Sequence, residues 1–86
     1  MLLPDLLALF DRVPVGWTEV WYDRQRYGLT RSLAAGGRSQ SVYAEQLGGR
    51  DVISANLYLA GDVPQLRPCE MPAEKVLQFL AGFELE

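Results

Sequence analysis

Apolar and polar positions alternate through most of the middle of this chain. The alternation is clearest in residues 51–59, where Ile53, Ala55, Leu57 and Leu59 fall on one side and Val52, Ser54, Asn56 and Tyr58 on the other. A period of two predicts a half-buried strand, and its position makes it a central one. The segments before it carry the same pattern. In residues 17–22, Thr18, Val20 and Tyr22 oppose Trp17, Glu19 and Trp21. In residues 26–33, Tyr27, Leu29 and Leu33 share a side with Arg31, while Gly28, Thr30 and Ser32 take the other. In residues 39–47, Val42 and Ala44 oppose Tyr43, Glu45 and Leu47. Breakers separate these runs: residues 13–16, a short polar loop at 23–26, and paired glycines at 36–37 and 48–49. Successive hairpins of this kind predict an antiparallel meander.

The two ends have a different period. Leu3, Leu6, Leu7 and Phe10 recur at helical spacing, with Pro4 and Asp5 suited to a first turn, which predicts a helix of two or three turns ending near Asp11. Beyond a turn at 61–64, residues 65–71 are extended, because Pro68 and Pro72 bias the residues before them away from helix, and they suit a short edge strand. From Pro72 onward, Ala73, Val76, Leu77, Leu80 and Phe83 form one apolar stripe. The order predicts an α+β fold: a four- or five-stranded antiparallel meander with the N- and C-terminal helices packed on one face.

The chain has 86 residues, 49% of them hydrophobic and 22% charged, which suits one globular domain spanning 1–86. A domain this small gains from a dimer contact. Its net charge is −3 and Lys75 is its only lysine, so it lacks the dense positive surface that nucleic-acid binding requires. The apolar start has no basic lead and is broken by Pro4 and Asp5, so neither a signal peptide nor a membrane span is expected. One cysteine rules out an intrachain disulfide, and a cytoplasmic location fits.

Candidate chemistry is sparse. Histidine is absent, which removes the commonest general base and metal ligand; no metal and no cofactor is expected. Cys69, between Arg67 and the helix that starts near Pro72, is the one side chain suited to thiol chemistry. Glu70 beside it opposes a thiolate and no resolving cysteine exists, so the plainer expectation is a small buried hydrophobe. Glu19, Glu45 and Glu70 would supply a carboxylate pair for acid–base work only if the sheet brought two of them together. The remaining set is polar residues interleaved with aromatics: Arg31, Tyr43, Glu45, Asn56 and Tyr58 as candidate binding residues, with Trp17, Trp21 and Tyr27 among them. If the helices cover one face only, several of these line the other and make a protein contact surface. The plain alternative is that the aromatics are cross-strand pairs and Arg31 and Glu45 an ordinary ion pair.

Residues 26–32 (Arg-Tyr-Gly-Leu-Thr-Arg-Ser), 43–49 (Tyr-Ala-Glu-Gln-Leu-Gly-Gly), 53–58 (Ile-Ser-Ala-Asn-Leu-Tyr) and 66–72 (Leu-Arg-Pro-Cys-Glu-Met-Pro), with Lys75, Val76 and Phe79, resemble a family of small uncharacterised bacterial proteins, some of them labelled peptide methionine sulfoxide reductase. The cysteine motifs of both reductase classes are absent from this chain. The resemblance therefore implies a compact α+β domain with no established activity. The expectation is a non-enzymatic protein-interaction or self-association module, working through the open sheet face or an edge strand with a protein partner or a second copy. The alternatives are a thiol-dependent reductase or redox sensor using Cys69, and a small-molecule binding module using Arg31, Glu45 and Asn56.

Overall fold

The computed structural model describes residues 5–59, 61 and 63–85. Leu3, Pro4 and Asp62, which the sequence reading assigned to the first helix and to a turn, lie outside them. Helix α1 (Leu6–Asp11) is followed by strands β1 (Gly16–Tyr22), β2 (Gln25–Ala34), β3 (Ser39–Gln46), β4 (Val52–Tyr58) and β5 (Gln65–Pro68), then helix α2 (Ala73–Gly82) and strand β6 (Glu84–Leu85). The sheet runs β5-β4-β3-β2-β1-β6, every pair antiparallel. The expected α+β meander with a helix at each end is thus the observed one, with one strand more. β6 pairs only Val20 with Leu85 and Trp21 with Glu84, and two residues are too few to show a period.

Local chemistry explains the turns. The β1–β2 hairpin closes on Asp23 and Arg24, both at positive φ (50° and 63°), as a two-residue turn of the primed kind demands even though neither is glycine. The β2–β3 connection is a 3₁₀ turn at Ala35–Gly37 in which Gly36 and Gly37 take positive φ. α1 is capped by Asp5, whose carboxylate accepts from the Ala8 N–H at 3.2 Å. Pro72 stands just outside α2, as its N-cap, one residue before its predicted place.

Both helices lie on one side of the sheet, also as expected. Phe10 from α1, Val76, Phe79 and Leu80 from α2, and Phe83 join the same buried cluster as Val20, Tyr27, Leu29, Val42, Ala44, Ile53, Ala55 and Leu57 from the strands. Aromatic rings seal α2 onto the β1–β2 hairpin: Phe79 stands 4.8 Å from Tyr22, 5.2 Å from Tyr27 and 5.7 Å from Phe83, centroid to centroid. Arg12 donates to the carbonyls of Leu80 and Phe83 and lies 4.5 Å over the Phe83 ring. It satisfies carbonyls that the end of α2 leaves free, and it puts a cation at the negative pole of that helix. Among the described residues, the opposite side of the sheet carries no helix.

Candidate functional site

The strand register arranges the uncovered face in lines that cross the sheet. Trp17, Thr30, Tyr43 and Ser54 form the middle line; Glu19, Gly28, Glu45 and Val52 lie on one side of it, and Ser32, Ser41, Asn56 and Arg67 on the other. Each line takes one residue from each of four neighbouring strands, because side chains two apart on a strand share a face. The result is an aromatic surface with short hydroxyl and amide side chains between the rings. Trp17 is 62% exposed, Tyr43 45% and Tyr58 39%.

The rings are positioned by their neighbours. A Cβ placed on Gly28 would stand 2.8 Å from Trp17 Nε1, so the indole lies directly over a glycine on the next strand. This is why Gly28 is buried although it faces the uncovered side. Arg26 lies 4.8 Å over the Trp21 ring and 3.5 Å from the Glu19 carboxylate, so the charge at that corner is neutralised within the chain.

Of the five candidate binding residues, Tyr43, Glu45, Asn56 and Tyr58 lie together on this face. Arg31 does not. It sits on the covered side, 9% exposed, where Nη1 donates to the Val13 carbonyl at 2.9 Å, Nη2 and Nε donate to Gln40 Oε1 at 2.8 and 3.2 Å, and Nη2 reaches Asp11 Oδ1 at 3.3 Å. The expected ion pair with Glu45 is corrected on the same ground, since the two residues point to opposite faces of adjacent strands. A small-molecule site built from Arg31, Glu45 and Asn56 falls with it. Tyr27 is likewise a core residue. Arg31 shares a side with Tyr27 and Leu29 in sequence because it is buried with them, and its charge is satisfied by groups from two separate segments, the end of α1 and β3.

Cys69 departs from expectation in the other direction: it is exposed, not a buried hydrophobe. Its N–H donates to the Ser54 carbonyl at 3.0 Å, and the Asn56 amide approaches Sγ at 3.9 Å, so it continues the uncovered face at the β4–β5 edge. Of the three candidate carboxylates, Glu19 and Glu45 stand on either side of Gly28, two strand spacings or ~9.6 Å apart at the backbone. Glu19 is committed to Arg26. Glu70 lies apart, at positive φ in the turn into α2. Among the described residues no group of histidine, cysteine, aspartate or glutamate side chains converges in a way that would hold a metal ion, and no helix is long and apolar enough to cross a membrane.

The sequence reading missed a polar cluster on the covered side. Tyr27 donates its hydroxyl proton to Asp51 Oδ2 at 2.7 Å, and Lys75 Nζ meets Asp51 Oδ1 at 2.6 Å. Burial, and then the neighbouring Asp51 carboxylate, push the Tyr27 hydroxyl well above the ordinary tyrosine value, so it keeps its proton. The hydrogen bond from Lys75, with that from Tyr27, holds the Asp51 carboxyl below the ordinary aspartate value against the opposing effect of burial. A phenol that holds its proton and an amine already paired serve poorly in acid–base work. The cluster instead ties α2 to β2 and to the start of β4. These residues lie 24 apart in the chain, so no local spacing signals it.

An apolar groove of about 460 Å³ runs between α1, α2 and the 63–66 segment, lined by Asp5, Leu6, Val63, Pro64, Leu66, Ala73 and Leu77. Its one carboxylate, Asp5, is engaged as the α1 cap, which leaves little there to orient a polar ligand.

No family model, curated protein or solved structure matches the chain.

Proposed function

We propose that this chain works by contact, as a non-enzymatic protein-interaction or self-association module whose docking surface is the uncovered face of its sheet. The observation that carries this reading is the placement of Trp17, Tyr43 and Tyr58, all substantially exposed, on the side no helix covers. Rings separated by hydroxyl and amide groups, with few charges, have the composition of an interface centre. Arg26 and Glu19 pair with each other at one corner of that face, so covering that corner strands neither charge. We place the module in the cytoplasm, where a single unpaired thiol persists.

A photoreactive phenylalanine at Tyr43 or at Tyr58, compared with one at Gln78 on the exposed side of α2, tests the reading in cells expressing the chain. Adducts are expected at the two sheet positions well above the helix control. Equal yields at all three positions, or no adducts, would overturn it.

The exposure of Cys69 favours a second reading, a thiol-dependent reductase or redox sensor. Maleimide labelling across pH separates the two: a midpoint well below that of a free thiol supports chemistry at Cys69, and an ordinary midpoint removes it.

A further inference from the structure

Resting on the uncovered face as a contact surface, we infer that its occupant is a second copy of this chain, seated face to face about a two-fold axis that runs across the strands along Thr30, Tyr43 and Ser54. The argument begins with shape. Stacked sheets pack about 10 Å apart, which needs large side chains on one sheet to enter gaps between small ones on the other. Tyr43 stands at the middle of the face, with Thr30 and Ser54 beside it on the same line and Ser41 two residues away on its own strand. Two such tyrosines, side by side at the axis, fill the gap, and each meets short side chains around the other.

Charge then selects the axis. If it ran along the strands, each β3 residue would face its own copy, and Glu45 would meet Glu45 at the centre of a drying interface, a like-charge contact that opposes association. With the axis across the strands, the two outer lines exchange: Glu45 faces Ser41 of the copy, and Gly28 faces Ser32. Glu45 has no hydrogen-bond or ion-pair partner among the described residues, and the Ser41 hydroxyl is a donor at the position where the carboxylate needs one. The same rotation brings Tyr43 onto Tyr43 and leaves no pair of like charges at the centre.

Area sets the strength. Four strands about 4.8 Å apart and about seven residues long cover roughly 19 by 23 Å in plan. Side-chain relief adds to that, which puts the face near the lower limit of about 600 Å² per partner for specific interfaces. Association is therefore concentration-dependent, with monomers and dimers exchanging. The small domain gains from it, because the exposed rings are then buried.

Single-cysteine variants in a Cys69→Ser background test the geometry. Thr30→Cys, Ser54→Cys, Ser41→Cys and Glu45→Cys are made, with Gln78→Cys on α2 setting the rate of random collision. All lie on the surface, and an unchanged thermal midpoint confirms the fold of each. Under mild oxidation, Thr30→Cys and Ser54→Cys are expected to couple to their own copies about tenfold faster than the control or more, since pairing raises the local concentration of the thiols. Ser41→Cys couples quickly to Glu45→Cys in a mixture and not to itself. Sedimentation velocity of the unmodified chain shows mass rising toward a dimer with concentration. Fast self-coupling at Ser41 and Glu45 would overturn the axis. Monomer at every concentration with control-rate coupling throughout would overturn the second copy. In that event, photo-adducts to another protein at Tyr43 and Tyr58 would leave the contact reading standing, and their absence would remove both.

Discussion

Replacing Arg31 with methionine tests how the buried guanidinium holds α1 and the sheet together. The change keeps an unbranched apolar stem but removes every donor. Val13 O and Gln40 Oε1, both buried, lose the charged group that satisfies them, and Asp11 loses a contact at 3.3 Å. Stranding a buried acceptor costs about 1–3 kcal/mol, so two cost roughly 2–6 kcal/mol. The gain from burying methionine and no longer desolvating a charge offsets part of this, and the net expectation is a loss of about 2–4 kcal/mol. At ~4–8 °C per kcal/mol for a domain of this size, the thermal midpoint falls by at least about 8 °C. Urea titration followed by far-UV circular dichroism measures the free energy directly. The double variant Arg31→Met with Gln40→Leu removes one of the stranded acceptors along with its donor. It is expected to be less destabilised than the sum of the two single variants by ~1–2 kcal/mol. An Arg31→Met protein within about 0.5 kcal/mol of the original, or strictly additive single changes, would refute the account, because either result means the buried acceptors found other donors at no cost.

Asp51 gives an acid dependence with a defined sign. Its folded-state value lies below the unfolded one of about 3.9, so its contribution is present above about pH 4 and disappears as pH falls through the lower folded value. Asp51 and Lys75 are each more than a third exposed, at 34% and 41% of their side-chain surface, and solvent screening keeps the effect to about 1 kcal/mol or less. Asp51→Asn should flatten the dependence of urea midpoints between neutral pH and pH 3, and an unchanged slope would show that the Lys75 contact contributes nothing. Arg24→Gly relieves a non-glycine residue held at φ 63° in the β1–β2 turn and should raise stability by about 0.5–1 kcal/mol in thermal unfolding. Gly28→Ala puts a methyl group against the Trp17 indole, whose far end is free to move outward. In a Trp21→Phe background its emission should shift to the red while stability changes by less than ~1 kcal/mol; an unmoved spectrum would mean the ring does not rest on Gly28.

The periodicity of this chain determined most of its elements. Four alternating runs became β1 to β4, two stripes at helical spacing became α1 and α2, and prolines marked β5 as an edge, because each of these signals lies within a few consecutive residues. The alternation also divided every strand into two faces, which is why Tyr43, Glu45, Asn56 and Tyr58 stand together on the uncovered one. What it left open are the partners that come from elsewhere in the chain. Arg31 belongs to the core only because Asp11, Val13 and Gln40 converge on it. Asp51 acquires its role only when Tyr27 and Lys75 arrive from separate elements. Cys69 is exposed because β5 lies at the border of the sheet. β6 exists because the chain leaving α2 passes alongside β1. A side chain's local spacing fixes the side of an element to which it points, whereas the groups that satisfy its charge or cover its surface are set by how distant segments pack, and that was decided by the tertiary structure alone.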